Sequence, residues 1–166
     1  MEVPAFFCIE VDSSQGIYPL GTVLNTGTPY TFIDMKKFTG VTTLNNGSYL
    51  RNSNVVEVVF PPNVTSVSGI CLQGNGKAEV FVISSAPQMG GSTFYGDRKN
   101  KAFIFLSATP PTLTSDVFSY STGKIYVPDG SYDAYHSAAI FSGKTIYTFT
   151  QLQEDYPDYY SRFVAN

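Results

Sequence analysis

Short apolar runs recur along the middle of the chain at a nearly constant interval. Four of these runs end at Phe60, Val82, Phe105 and Val127, which lie 22, 23 and 22 residues apart. Each run is followed by turn residues that include proline, which fixes the backbone and withholds a hydrogen-bond donor. A second apolar column keeps nearly the same interval, at Leu50, Leu72, Phe94, Phe118 and Ile140. The pattern therefore predicts repeated units of 22 to 23 residues, each with one short strand.

A unit of this length cannot bury its own apolar face, so the units must stack on one another. Stacking pairs the strands in parallel, about 4.8 Å apart, and creates one continuous interior. Aromatic and β-branched residues favour strands, whereas the frequent glycine and proline residues stop helices. We therefore predict a mainly β, right-handed leucine-rich-repeat solenoid with parallel short strands, turn-rich returns and a short C-terminal capping helix.

Three segments carry a family resemblance. Residues 38–44, 58–67 and 124–135 resemble the BspA-like leucine-rich repeats of bacterial surface proteins. The resemblance extends over about residues 20 to 149. It implies a module of the bacterial cell surface, or a secreted one, that adheres to proteins of a host or of neighbouring cells.

The repeats divide the chain into three parts of one structural domain. We expect an N-terminal cap segment at residues 1–30, a solenoid of about five coils at residues 31–149, and a C-terminal tail at residues 150–166. Residues 11–16 contain one carboxylate, and a calcium site needs six to eight oxygen ligands, so we expect a cap without metal. The tail could extend the C-terminal cap or contact a partner, and the pattern does not choose between these roles.

The capping helix is predicted between Ser131 and Ser142. Tyr132, Tyr135, Ala139 and Ile140 recur there at near-helical spacing. Ser131 is suited to the N-cap position, and Gly143 to the end of the helix. We expect this helix to cover the open end of the core.

Composition and charge exclude several classes of protein. Only 14% of the 166 residues are charged and the formal net charge is −3, so the chain lacks the basic surface that nucleic acids require. No apolar run approaches the roughly 18 residues that a membrane-spanning helix needs. The first ten residues have no basic region, so we expect no secretory signal in this chain.

Cys8 and Cys71 lie in apolar runs and are expected to be buried thiols, with a disulfide as the alternative.

Candidate catalytic groups do not form a convergent set. His136 is the only histidine and has no nucleophile motif beside it. Residues 143–145, Gly-Lys-Thr, have alanine where a phosphate-binding loop needs its first glycine, and a predicted strand follows them. The acidic residues 154, 155 and 158 are expected on a solvated face. We therefore predict that the chain is not an enzyme and holds no metal or cofactor.

Strand alternation predicts an apolar strip on the outer face of the sheet. If the residues on either side point into the core, the outward positions are Val59, Phe81, Ile104, Tyr126 and Tyr147. Soluble monomers rarely leave such a strip uncovered. The strip either binds a protein or glycan partner or packs against the N-terminal segment, a neighbouring domain or a second copy of the chain.

The resulting hypothesis is a non-enzymatic recognition or adhesion module, extracellular or on the surface of a bacterium. It would bind a protein or glycan partner through the strip, without nucleic acid and without a membrane span. The alternative is a structural, virion-associated assembly protein of a phage, built from the same repeats. A gene neighbourhood with tail or capsid genes would favour that alternative.

Overall fold

The computed structural model describes residues 31–44, 55–67, 72, 78–96, 99–113, 117–141 and 143–165. Within these ranges, ten short strands form two wholly parallel sheets. The large sheet contains, in spatial order, β1 (Thr31–Asp34), β3 (Val55–Val59), β5 (Val80–Ile83), β7 (Ala102–Phe105), β9 (Lys124–Val127) and β10 (Ile146–Thr148). The small sheet contains β2 (Thr43–Leu44), β4 (Ser66–Val67), β6 (Gln88–Met89) and β8 (Thr112–Leu113).

The chain alternates between the two sheets, which makes each pair of strands one coil of a solenoid. β3 of the large sheet leads into β4 of the small sheet, and the next strand of the large sheet pairs with β3. Pro61 and Pro62 follow β3, and Pro128 follows β9, so proline stands where a strand must end. The predicted solenoid of stacked parallel coils is confirmed. The predicted N-terminal cap at residues 1–30, with Cys8, and the positions of Leu50 and Cys71 lie outside the described residues.

The interior lies between the two sheets and is filled by columns of aligned apolar side chains. The strand register aligns the first column across all six strands of the large sheet, at Ile33, Val58, Phe81, Phe103, Ile125 and Ile146. These residues form one buried cluster with Leu44, Val67 and Met89 of the small sheet. Phe81 and Phe103 stack with their ring centroids 5.7 Å apart. Parallel pairing thus places like residues of successive coils in contact.

The predicted strand register is wrong at β5. Phe81 was expected to point outward, between Val80 and Val82, but it belongs to the interior cluster, and both valines lie on the opposite face. The pairing aligns Val59 with Val82 and Val82 with Ile104, and Ile83 takes the place expected for Val82 beside Phe105. All four residues of β5 are apolar and buried, so alternation of polarity could not set its register.

The predicted capping helix is shorter than expected and is interrupted. It consists of α1 (Tyr132–Ser137), which is flanked by single 3-10 turns at Asp129–Ser131 and Ala139–Phe141. The Ser131 side chain makes no capping hydrogen bond, and Gly143 has a φ of +77° in the turn that leads to β10. Tyr135 of α1 enters the interior, where its hydroxyl donates to the carbonyl of Ser107 at 2.9 Å.

The segment that was predicted as a tail forms two further helices, α2 (Phe149–Asp155) and α3 (Pro157–Phe163). A capping box begins α2, because the Thr148 hydroxyl accepts from the Gln151 amide while the Gln151 side chain accepts from the Thr148 amide. Pro157 opens α3 and separates the two helices. Both helices lie on the outer face of the large sheet, where they form a second buried cluster.

Candidate functional site

The predicted recognition strip is covered by the chain itself. Val59, Ile104 and Tyr126 are aligned by the register, but each is 0% exposed. Tyr147 is half-buried beside Tyr126, with ring centroids 5.5 Å apart, and Phe81 faces the interior. The expectation that these side chains form an exposed binding face is therefore wrong. The physical reason is that α2 and α3 cover the strip.

The covering helices contribute a matching set of apolar side chains. These are Phe149 and Leu152 of α2 with Tyr159 and Phe163 of α3. They contact Val59, Val80, Val82, Ala102, Ile104 and Tyr126 of the large sheet. Because this surface is removed from water within one chain, it is a second hydrophobic core.

Polar contacts at the strand beginnings fix the two helices to the sheet. The Asp155 carboxylate accepts from Lys124 Nζ at 2.7 Å and from the Tyr126 hydroxyl at 2.6 Å. These two hydrogen bonds, that of Lys124 above all, lower the pKa of Asp155 below its usual range. Burial, followed by the contact with Asp155, raises the pKa of Tyr126 well above its usual range. The Tyr126 hydroxyl is therefore neutral and donates to the ionised carboxylate of Asp155, which makes a strong hydrogen bond.

Large apolar side chains do reach solvent elsewhere. Among the described residues, those with exposed rings are Tyr95, Tyr120 and Tyr132, at 38%, 63% and 39%. Tyr95 and Tyr120 contact each other edge to face, with their ring centroids 5.1 Å apart. We call these two residues the tyrosine pair. It stands on two turns of successive coils, residues 90–96 and 117–123.

The buried side of the same turns is closely packed and hydrogen-bonded. Phe94 and Phe118 stack in the interior with centroids 5.6 Å apart. The Phe94 amide donates to the Val117 carbonyl at 3.0 Å, and the Gly96 amide to the Ser119 carbonyl at 3.2 Å. The turns are therefore held to each other by backbone hydrogen bonds while their tyrosines point outward.

Tyr120 has an unusual backbone conformation. Its φ is +62°, in the left-handed region that bulky L-residues rarely enter. Such a conformation costs on the order of 1–3 kcal/mol and is found preferentially at functional sites. A glycine or asparagine would satisfy this turn at lower cost. The strain therefore favours a role for the tyrosine side chain itself.

The two turns that carry the tyrosine pair are rich in hydroxyl groups. Residues 90–96 and 117–123 include no charged residue, but Asp97, Arg98 and Lys99 follow the first turn directly in the sequence. Ser92, Ser119 and Ser121 are partly exposed. The Ser121 hydroxyl donates to the Phe94 carbonyl, which ties one turn to the other. An exposed aromatic pair with hydroxyl neighbours can bind an amphipathic surface.

The other candidate groups from the sequence occupy unrelated places. His136 lies on the surface of α1 and stacks on Tyr132, with ring centroids 5.6 Å apart. Lys144 and Thr145 precede β10, so a strand follows them, as predicted. Asp158 pairs with Arg162 on the same helix at 3.1 Å. Over the ranges that the structure covers, no three His, Cys, Asp or Glu side chains come together as metal ligands would.

Sequence reasoning missed the tyrosine pair. The two tyrosines lie 25 positions apart, whereas the repeat has 22 or 23, so alignment of the units does not place them together. Both tyrosines lie close to inward residues of the second apolar column: Tyr95 directly follows Phe94, and Tyr120 is two positions after Phe118. Turn residues next to a buried position tend to be exposed, and two tyrosines there are unusual.

No protein-family model, curated protein or solved structure matches this chain. Among the described residues, no helix has the length and apolar character needed to cross a bilayer.

Proposed function

We propose that this chain is a non-enzymatic recognition module that binds its partner through the tyrosine pair, on the outside of a bacterial cell. The observation that carries the proposal is the exposed, strained Tyr120 in edge-to-face contact with Tyr95 on the adjacent coil. Tyrosine is among the residue types that most often dominate binding energy at interfaces. The resemblance to BspA-like repeats supports the extracellular location and the adhesive role.

The packing and backbone hydrogen bonds beneath the tyrosine pair support this proposal. The turns that hold the tyrosines are fixed by backbone hydrogen bonds and by the stacked phenylalanines beneath them. A site whose side chains are already ordered loses less conformational entropy on binding, so it keeps more of its contact energy as affinity. Flexible surface tyrosines would lack this advantage.

Binding of the full chain to a panel of immobilised surfaces tests the proposal. Suitable surfaces are a mucin, fibronectin, collagen and intact bacterial cells, with biolayer interferometry as the measurement. We expect saturable binding to at least one surface and at least a tenfold loss of affinity in the double variant Tyr95→Ser/Tyr120→Ser. The matched control is Tyr132→Ser, which removes a tyrosine on α1 that is as exposed as Tyr95, and it should change affinity less than twofold.

Two outcomes would contradict the proposal. One is the absence of wild-type binding to every surface in the panel. The other is equal binding by the wild type and the double variant, provided that circular dichroism shows both to be folded. The second outcome would place recognition on another part of the chain.

A further inference from the structure

We propose that the tyrosine pair is a site of oxidative cross-linking, at which a one-electron oxidant joins the rings of Tyr95 and Tyr120 as dityrosine. The ring centroids lie 5.1 Å apart, and 38% of Tyr95 and 63% of Tyr120 are exposed. Two phenols in contact that are both exposed meet the two requirements of this coupling, which are access of an oxidant and a second ring within reach. The inference goes beyond the proposed function, and its test needs no binding partner.

The reaction begins with the loss of one electron and one proton from each phenol, so that both side chains become tyrosyl radicals. The radicals combine by forming a carbon–carbon bond between the ring positions ortho to the two hydroxyl groups. Each bonded carbon then gives up its hydrogen as a proton and each oxygen takes up a proton, which restores both aromatic rings. A haem peroxidase passes the two electrons and two protons to one molecule of hydrogen peroxide, which becomes two molecules of water.

The two turns hold the rings beside each other on adjacent coils. The Phe94 amide donates to the Val117 carbonyl at 3.0 Å, and the Gly96 amide donates to the Ser119 carbonyl at 3.2 Å. Backbone hydrogen bonds on both sides of Tyr95 therefore join it to the second turn. This arrangement gives the rings a high effective concentration, which favours coupling within one chain over coupling between molecules.

The edge-to-face geometry of the two rings is compatible with coupling. Their planes meet at 77°, so the ring positions that must bond are brought together by rotation of the side chains. Exposed side chains change rotamer within picoseconds to nanoseconds. The motion is therefore fast on the timescale of protein chemistry, and the backbone of the turns need not move.

The other tyrosine contacts of the described residues are less accessible. Tyr126 contacts Tyr147 and Tyr156, and Tyr159 contacts Tyr156. Each of these contacts includes a buried ring, because Tyr126 is 0% and Tyr159 is 8% exposed. Within the described ranges, the tyrosine pair is the tyrosine contact in which both rings are exposed, so we expect it to couple first.

A cross-link at the tyrosine pair would stabilise the solenoid. It would join two residues that lie 25 positions apart in the chain and would tie two neighbouring coils together. A covalent link stabilises a fold mainly by restricting the unfolded chain, and the effect grows with the length of the closed loop. We therefore expect the cross-linked chain to melt about 5 °C or more above the untreated chain.

The test treats the full chain, in dilute solution, with a haem peroxidase and limiting hydrogen peroxide. Fluorescence detects dityrosine, and mass spectrometry of proteolytic peptides identifies the joined residues. We expect a monomeric product in which the peptides that contain Tyr95 and Tyr120 are joined with the loss of two hydrogen atoms. Thermal melting of this product measures the stabilisation.

Substitution by phenylalanine keeps an aromatic ring and removes the phenol. We expect Tyr95→Phe and Tyr120→Phe each to lower the yield of dityrosine within the chain at least tenfold, with an unchanged circular dichroism spectrum. The matched control is Tyr132→Phe, which changes an exposed tyrosine whose ring stacks on His136. Its yield should stay within twofold of the wild type.

Three outcomes would overturn the cross-linking site. They are the absence of dityrosine in the treated wild type, dityrosine that joins only separate molecules, and an equal yield within the chain in Tyr120→Phe and the wild type. A cross-linked chain with an unchanged melting temperature would overturn the stabilising effect. None of these outcomes depends on whether the chain binds a partner.

Discussion

Arg162 of α3 donates hydrogen bonds to both carboxylate oxygens of Glu57 in β3, 105 residues earlier in the chain. The guanidinium also lies over the ring of Phe163, 4.7 Å from its centroid, and near Phe32 at 5.4 Å. Glu57 is largely buried, with 16% of its side chain exposed, so the two charges depend on each other. This contact fixes the last helix to the second strand of the large sheet.

Removal of the guanidinium should destabilise the fold. We expect Arg162→Gln to lower the free energy of unfolding by about 2 kcal/mol, because Glu57 then keeps a partly buried charge without its bidentate partner. Urea denaturation measures this change. In the double variant Arg162→Gln/Glu57→Gln the loss should be smaller than the sum of the single losses.

The exposed ion pair between Lys101 and Glu79 provides the control. Its atoms are 2.6 Å apart, but Lys101 is well exposed, and without it Glu79 still accepts from the Tyr159 hydroxyl, so Lys101→Gln should cost less than about 0.5 kcal/mol. Additive effects of the Arg162 and Glu57 substitutions would contradict the coupling between these two residues.

Asp155 makes the stability of the protein depend on pH in the acid range. Its pKa is lowered in the folded protein by the hydrogen bonds from Lys124 and Tyr126, so the folded state favours the ionised form. This contribution is fully present above the unfolded pKa of about 3.9 and is lost as the pH falls through the lower folded value. We expect Asp155→Asn to be less stable than the wild type at neutral pH and to lose less of its stability on acidification.

Thermal melting between neutral and acid pH measures this difference. The curves of melting temperature against pH for the wild type and Asp155→Asn should converge at low pH, where the wild-type carboxylate is protonated. Parallel curves over the whole range would show that Asp155 does not contribute to the acid sensitivity.

Ser92 offers a stabilising substitution. Its φ is +62°, and left-handed backbone costs an ordinary L-residue about 1–2 kcal/mol. Asparagine enters this region more readily, so Ser92→Asn should raise the free energy of unfolding by about 0.5–1 kcal/mol. A lower melting temperature in the variant would contradict the strain at this position.

Gly123 lies too close to the interior to accept a side chain. A Cβ atom there would stand 2.8 Å from Phe103 Cε2 and 2.9 Å from Asn100 Cβ. We expect Gly123→Ala to destabilise the protein by about 1–3 kcal/mol through overpacking, measured by urea denaturation. Gly130→Ala is the matched control, because a Cβ atom at Gly130 would meet nothing within 4 Å. Equal stability of the two variants would contradict the close packing at Gly123.

The solenoid could be predicted from the sequence because its determinants are periodic. The apolar runs that end at Phe60, Phe105 and Val127 recur at the repeat interval, and these three residues do lie in the interior. The register of β5 could not be obtained in this way. Val80, Phe81, Val82 and Ile83 are apolar at every position, and both faces of the strand are buried, so only packing against Phe94 and Phe103 decides which side Phe81 takes.

The covering helices have a helical pattern in the sequence, whereas the sequence only indicates that the two tyrosines lie near buried positions. Phe149, Leu152, Tyr159 and Phe163 are spaced 3, 7 and 4 positions apart, which is typical of a helical face, although Pro157 interrupts the pattern. The exposure of Tyr95 and Tyr120 depends on the path of two turns. Turn conformations such as the positive φ of Tyr120 leave little trace in a single sequence when the residue is not glycine.

The contacts of the two C-terminal helices match one particular number of coils between β3 and β9. Glu57 and Lys124 are the two ends of an aligned row of residues that crosses β3, β5, β7 and β9. At about 4.8 Å per strand, the row is roughly 14 Å long. Arg162 meets the first end of this row, and Asp155 meets the other. A coil inserted between β3 and β9 would move the two ends apart by a further strand spacing, and the segment from Asp155 at the end of α2 to Arg162 in α3 could no longer reach both. Repeat arrays commonly gain and lose units during evolution, but in this protein such a change would also require a longer segment between Asp155 and Arg162.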